Sequence, residues 1–402
     1  MSLFEPDRSA ERTPLSVLTG FLGSGKTTVL NRLLGDPALA DTAVIINEFG
    51  EIGLDHELVE SVDGEMVLLK SGCVCCTLRS DLESAVRELL ARRDSGDIPR
   101  FARIVVETTG LADPAPIVQM TLNNPLVARF CVLEGVATTV DALHAARQFA
   151  EHPVAAKQVA LADRLLVTKA DLLGTEAELP SDDQFATAVG AGDKATTDEA
   201  TADGVTSKLQ ALETVLRGLN PFAPIMVLPP LHKRDRLDPF AILPRRAPSA
   251  GEQARRWLDF SPLQPDRAGR VGLRSGPDAA EADTATAAHE SAHDGIDTLS
   301  LVSETPLDWM DLQQWLAQLR AHFGEQLLRA KGIVHLRDEV RPVAIHGVHH
   351  VFHPPIALDE STARSTPSRL VLIMKGAPVA EIAASFEAMR SARRQDAGTA
   401  DA

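Results

Sequence analysis

Eight residues, Gly20-Phe21-Leu22-Gly23-Ser24-Gly25-Lys26-Thr27, place glycine at the first, fourth and sixth positions and close on lysine and threonine. Phosphate is the chemistry that this spacing serves. The glycines let the backbone curl so that its N–H groups and the start of a following helix point at anionic oxygens, Lys26 reaches the outer phosphates, and Thr27 offers its hydroxyl to Mg²⁺. Gly20, Gly23, Ser24, Gly25, Lys26, Thr27 and Thr28 are therefore expected to bind a nucleotide's phosphates. Further on, Glu107 ends an apolar run and is followed by Thr108, Thr109 and Gly110. A carboxylate at a strand end is well placed beside Mg²⁺, and the Gly110 N–H can meet a γ-phosphate. Lys26, Thr27, Glu107 and Gly110 are the candidate catalytic groups. The plainer alternatives are a glycine-rich turn with an incidental lysine and a solvated strand-end acid.

Thr168-Lys169-Ala170-Asp171 also follows an apolar run. A carboxylate at Asp171 can accept both guanine N1–H and N2–H, whereas adenine presents an acceptor at N1 and has no amino group beside it. The Lys169 stem can lie over the base, and the Thr168 hydroxyl is a smaller hydrogen-bonding group than the asparagine amide usual there. Three of the four cysteines crowd into Cys73, Cys75 and Cys76, after Gly72. No second cysteine pair lies near enough in sequence to complete a closed four-sulfur site, so a shell of two or three thiolates would leave a place for water, a carboxylate or an acceptor's ligand. Soft thiolates suit Zn²⁺, with Cu(I), Co²⁺ or Ni²⁺ as alternatives. A thiol–disulfide switch and inert packing remain the competing uses of these sulfurs. Cys131, alone in an apolar run, reads as a buried small hydrophobe.

These motifs need elements to hold them. Short runs rich in Val, Ile and Leu recur at 15–19, 43–47, 103–107, 136–140, 164–168 and 224–228, separated by helix-like stretches. Continuous apolar strands alternating with helices predict an α/β fold, a mostly parallel sheet covered on both faces. The pattern assigns 13–229 to a P-loop domain after a flexible 1–12. Pro, Gly, Ala, Asp and Arg dominate 230–297, which cannot bury enough apolar area to offset its ordering entropy and reads as a largely disordered linker. Strands at 298–302, 332–336, 342–348 and 369–374, with helices at 307–322 and 379–390, predict a smaller α+β domain over 298–391, before a flexible tail at 392–402. Trp309, Leu312, Leu316 and Leu319 recur at helical spacing and belong to its core. His346, His349, His350 and His353 concentrate in one stretch, but neighbouring strand positions face opposite ways and need not converge.

Composition sets the outer bounds. A chain of 402 residues with 44% hydrophobic and 24% charged residues can build two cores. Its formal charge of −16 opposes the phosphate neutralisation on which nonspecific nucleic-acid binding rests. The first twelve residues carry no apolar signal core, and no run of about 18 apolar residues occurs. The expectation is a cytoplasmic protein that engages neither membrane nor nucleic acid.

Five stretches in order, Gly20 to Thr28, Asn47-Glu48-Phe49-Gly50-Glu51-Ile52-Gly53, Gly72 to Cys76, Glu107 to Pro114 and Thr168 to Asp171, resemble the CobW-type GTPases, and Lys331-Gly332-Ile333 with Gly347 to His350 resembles that family's C-terminal domain. The resemblance implies a GTPase, converting GTP to GDP and phosphate, that chaperones a transition metal to a client protein. It further implies that Cys73, Cys75 and Cys76 hold the metal, that 47–53 is a switch sensing the γ-phosphate, and that Glu48 and Glu51 neighbour a metal. Thr168 departs from the family's commoner asparagine, and the linker lacks the dense histidine tract of some members. A regulatory GTP-binding switch with redox or structural cysteines and a partner-docking C-terminal domain is the alternative reading. A small-molecule kinase is a third.

Overall fold

The computed structural model describes residues 11–47, 67–70, 78–174, 202–231, 237–243, 295–358 and 367–398. Glu48, Glu51, Cys73, Cys75, Cys76, most of the 47–53 stretch and, within the 230–297 stretch expected to be a linker, 232–236 and 244–294 lie outside the described residues. The chain divides into two compact units, 8–248 and 249–402 joined by 1–7.

In the first unit the described strands are β1 (Thr13–Gly20), β2 (Thr42–Asn47), β3 (Val67–Lys70), β4 (Arg103–Thr108), β5 (Cys131–Asp141), β6 (Arg164–Thr168) and β7 (Ile225–Val227). Between them run α1 (Lys26–Leu34), α2 (Leu78–Ser95), α3 (Ala115–Asn123), α4 (Pro125–Phe130), α5 (Ala145–Glu151), α6 (Pro153–Leu161) and α7 (Ala202–Leu219), with the short α8 (Pro239–Ile242) after β7. All seven strands are parallel, in the order β3-β2-β4-β1-β5-β6-β7. Every residue of β4 and β6 is buried, as expected of strands with helices on both faces. The run 67–70 was not anticipated as a strand; it pairs with β2 at the sheet's edge.

The register explains the position of the site. β1 lies at the centre, with β2, β3 and β4 on one side and β5, β6 and β7 on the other, so the winding of the chain reverses beside it. In such sheets the crevice beyond the strands' carboxyl ends, where the order reverses, is where ligands bind. On one side of β1, Val29, Leu30, Leu33 and Leu34 of α1 pack with Leu18, Val44, Val105 and Leu166. At the opposite end Glu134 Oε1 meets Arg164 Nη2 at 3.0 Å and Glu134 Oε2 accepts from Ser16 Oγ at 2.9 Å, tying β1, β5 and β6 together. Burial pushes the Glu134 carboxyl up, against the pull of Arg164 and Ser16.

Cys131 begins β5, about 30 Å of strand before Asp141 at roughly 3.3 Å per residue. It is fully buried, and burial pushes its thiol up to about 11. Since the thiolate is the nucleophile, native protein treated with iodoacetamide at pH 8 is expected to leave Cys131 unmodified, as peptide mass mapping would reveal. Labelling within minutes would contradict the packing.

The second unit contains β8 (Ile296–Ser303), α9 (Trp309–Phe323), β9 (Leu327–Val334), β10 (Val343–Val348), β11 (Val351–Phe352), β12 (Ile356–Ala357), β13 (Ser368–Lys375) and α10 (Val379–Gly398). Its antiparallel sheet runs β11-β10-β9-β13-β8, with β12 also on β10. Asp308 caps α9, its Oδ1 accepting from Met310 and Asp311 N–H at 2.9 and 3.2 Å, which satisfies two orphan donors of the first turn. Leu312, Trp315, Leu316 and Leu319 enter the core, and Trp309 packs against its margin. Trp315 Nε1 donates to Ser385 Oγ at 2.9 Å while its ring meets Phe386 edge-on at 5.2 Å, joining α9 to α10. α10 runs to Gly398, past the helix end expected at 390. No described helix is long and apolar enough to cross a membrane.

Candidate nucleotide site

Strand register brings the motifs to one edge of the first sheet. Leu18 lies beside Glu107, Gly20 beside Thr139, and Asp141 beside Thr168, so the ends of β4, β1, β5 and β6 form a row. From that row the chain leaves β1 at Gly20 and enters α1 at Lys26, and the start of a helix presents N–H groups and partial positive charge to an anion. Gly20 has φ 145, and a Cβ there would collide with the Oγ1 and carbonyl of Thr139.

The loop is braced from within. Ser24 Oγ donates to the Phe21 carbonyl at 2.7 Å and lies 2.7 Å from Thr139 Oγ1, which in turn donates to the Thr19 carbonyl at 3.2 Å. Lys26 Nζ donates to the Phe21 carbonyl at 3.2 Å, folded back across the loop. Thr27 Oγ1 donates to Glu107 Oε1 at 2.6 Å, joining the start of α1 to the end of β4. A hydroxyl and a carboxylate converging here are hard oxygen donors of the kind that Mg²⁺ takes, so this pair fits that ion. Gly23 and Thr28 are exposed.

Gly110 approaches the loop from the other side. A Cβ there would lie 2.6 Å from the Leu22 nitrogen and 2.7 Å from its Cα. Gln158, buried in α6, holds the turn in place: its Nε2 donates to the carbonyls of Gly110 at 3.2 Å and Ala112 at 3.0 Å. Lys157 Nζ reaches Asp113 Oδ2 at 3.3 Å, and His152 stacks on Phe21 at 4.6 Å. The α6 segment thus grips both the phosphate loop and the Gly110 turn.

At the tetrad the roles separate. Thr168 is fully buried, and its hydroxyl lies 2.8 Å from the Ser24 carbonyl and 3.2 Å from that of Val140. Its one proton is therefore engaged with the phosphate loop and β5, so the hydroxyl braces the tetrad against the loop. Lys169 adopts left-handed backbone geometry, φ 58, and Asp171 lies exposed on the turn that follows. Lys169 Nζ donates to Asp141 Oδ2 at 2.7 Å, and His144 Nδ1 is 3.0 Å from the same oxygen. Burial alone would raise the Asp141 carboxyl, but hydrogen bonds from Lys169, His144 and the Leu143 N–H, with the Lys169 charge, hold it below the usual carboxylate range.

Asp141, His144, Thr139, Gln158 and His152 were not anticipated. Asp141 alone carried a signal, the same strand-end carboxylate that drew attention to Glu107. Among the described residues no group of three or more His, Cys, Asp or Glu could hold a metal ion, and this includes His346, His349, His350 and His353. The cysteine cluster and Glu48 lie outside the described residues.

A parallel sheet covered by helices, with a Gly20 to Thr27 loop opening α1 at the central strand, defines the P-loop nucleotide-binding class. Residues 14–194 match the CobW/HypB/UreG nucleotide-binding domain and 296–390 the Cobalamin synthesis protein cobW C-terminal domain, together more than half of the sequence, and the chain belongs to the CobW family. It is 43% identical over 164 residues to the zinc chaperone YjiA of Escherichia coli K12, covering 41% of this chain and 51% of that one. To the zinc chaperone CobW of Pseudomonas aeruginosa it is 36% identical over 203 residues, covering 43% and 52%. The chain spans about half the length of the curated relatives it matches. A crystal structure of Zn(II)-bound YjiA GTPase from E. coli superposes with a TM-score of 0.63 at 24% identity over 94% of this chain and 99% of that one, a likeness of fold.

Proposed function

We propose that this chain hydrolyses GTP in the cytoplasm and uses the nucleotide cycle to load a transition metal, zinc foremost with Co²⁺ and Ni²⁺ as alternatives, and to release it to a client protein. The observation that carries the reading is the 2.6 Å contact between Thr27 and Glu107 beneath a complete phosphate loop. The relatives named zinc chaperones support the choice of cargo.

In this scheme the backbone of 20–25 and the α1 N-terminus cradle the phosphates, and Lys26 leaves the Phe21 carbonyl for the outer oxygens. Thr27 and Glu107 would hold Mg²⁺, which when bound would supply charge neutralisation to the phosphates. Asp171 accepts from guanine N1–H and N2–H. The Gly110 N–H faces the γ-phosphate; a water oxygen bonds to the γ-phosphorus as its bond to the bridging oxygen breaks, and GDP and phosphate result. Cys73, Cys75 and Cys76, with Glu48 as a further ligand, hold the metal as cargo. The 47–53 segment, continuous with β2 and preceding the cysteines, transmits the γ-phosphate's presence to them.

Linkage makes this testable, because a metal that binds better with GTP must raise GTP affinity by the same factor. Zinc titrated at fixed pH against protein holding a non-hydrolysable GTP analogue, GDP or no nucleotide is expected to separate these states by at least about fivefold in affinity. Equal affinities in all three would remove the coupling. Cys75→Ser with Cys76→Ser is expected to weaken zinc binding and leave GTP binding intact; unaltered zinc affinity would place the metal elsewhere.

A further inference from the structure

Lys169 is one of two non-glycine residues with positive φ among the described residues, the other being His349. Such geometry is disfavoured for a side-chain-bearing residue and persists where the surroundings enforce it. Here two constraints act. On the backbone side, the Thr168 carbonyl accepts from the Ala142 N–H at 3.0 Å and the Thr168 hydroxyl is anchored beneath the phosphate loop. On the side-chain side, the ammonium of Lys169 is held 2.7 Å from Asp141 Oδ2.

Asp141 is built as an acceptor for that ammonium. Its side chain is 2% exposed, its Oδ1 accepts from the Leu143 N–H at 2.9 Å, and His144 Nδ1 shares Oδ2 at 3.0 Å. The Lys169 side chain is 32% exposed, so its stem, tied at the ammonium to the end of β5, stays partly open to a ligand. A lysine stem has four carbons and many rotamers; fixed at both ends, it becomes a rail of methylenes in one course, a suitable floor for a flat purine face.

We propose that Asp141, seconded by His144, is a positioning residue for base recognition, tethering Lys169 so that its stem underlies the base and Asp171 meets the base edge. This rests on the guanine reading of the tetrad given above. The opposing view is that the ion pair only steadies the end of β5, in which case its loss would affect every ligand of the site alike.

The discriminating probe is inorganic tripolyphosphate, which fills the phosphate loop and has no base. On the full chain, Asp141→Asn is expected to lower GDP affinity about tenfold while leaving tripolyphosphate's inhibition of GTP hydrolysis within about twofold of the parent. Lys169→Met, which keeps the stem and loses the ammonium, is expected to lose as much, and the Asp141→Asn/Lys169→Met pair no more than the larger single loss. Unchanged GDP affinity in Asp141→Asn, or equal losses for GDP and tripolyphosphate, would overturn the proposal. Should Asp141→Asn not fold, the same comparison is made on Lys169→Met and on the double variant, which removes both charges together, with the same two outcomes. Asp171→Asn tests the underlying reading separately, since an amide donates where xanthine carries a carbonyl. No gain of XDP over GDP there would remove the guanine assignment, whereas a gain beside an unaffected Asp141→Asn would remove only the role given to Asp141.

Discussion

Lys26→Ala is expected to lower kcat/KM for GTP by at least about 100-fold, the scale on which removal of one preorganised charge-stabilising donor is felt. Lys26 sits in the first turn of α1, largely buried, with its ammonium on the Phe21 carbonyl. A neutral carbonyl is a modest partner for a cation, and a triphosphate offers several charged oxygens in its place. The exchange therefore favours the ligand, and the ammonium is fully used only as charge moves onto the β–γ bridging oxygen. Affinity and turnover should fall together, as phosphate release followed over a range of GTP concentrations would reveal. Turnover within tenfold of the parent would mean that another cation supplies this charge.

Gly110→Ala is expected to split the two quantities instead, reducing hydrolysis by up to about 100-fold, as a displacement near 1 Å at a reacting centre can. The new Cβ would fall 2.6 Å from a backbone nitrogen of the phosphate loop, and a backbone held by the Ser24 and Thr139 bonds has nowhere to move. The Gly110 turn must retreat, against the hydrogen bonds by which Gln158 holds its carbonyls. Because the proposed scheme sets that turn against the γ-phosphate alone, GDP should still bind within about threefold of the parent, a change under 1 kcal/mol. Comparable losses of GDP binding and of hydrolysis would place the turn in general loop support.

Much of this site could be read before folding, and the reason lies in what local sequence encodes. The Gly20 to Thr27 loop and Glu107 are legible because a phosphate cradle and a strand-end acid are both local in chain. The apolar runs at 103–107 and 164–168 became β4 and β6, since full burial on both faces leaves an unbroken hydrophobic signature. The 67–70 strand escaped notice because three apolar residues before a lysine satisfy no period, and only pairing with β2 decides their state. Asp141 lay one residue beyond the expected strand, and its importance depends on Lys169, which is 28 positions away. Gln158 is a lone amide in an Ala- and Val-rich helix; only the tertiary fold shows the two carbonyls it serves. Thr168 makes a tertiary contact that the tetrad pattern does not reveal. Read alone, its hydroxyl is a small polar group in place of an amide, and only the fold shows that it lies 2.8 Å from the Ser24 carbonyl.

That hydroxyl bears on how the two ends of the site communicate. Since Thr168 joins the base tetrad to the phosphate loop through the Ser24 carbonyl, the base-side and phosphate-side segments share one joint. A displacement of the tetrad would therefore be felt at the phosphate loop through that one bond, which is worth about 1 kcal/mol.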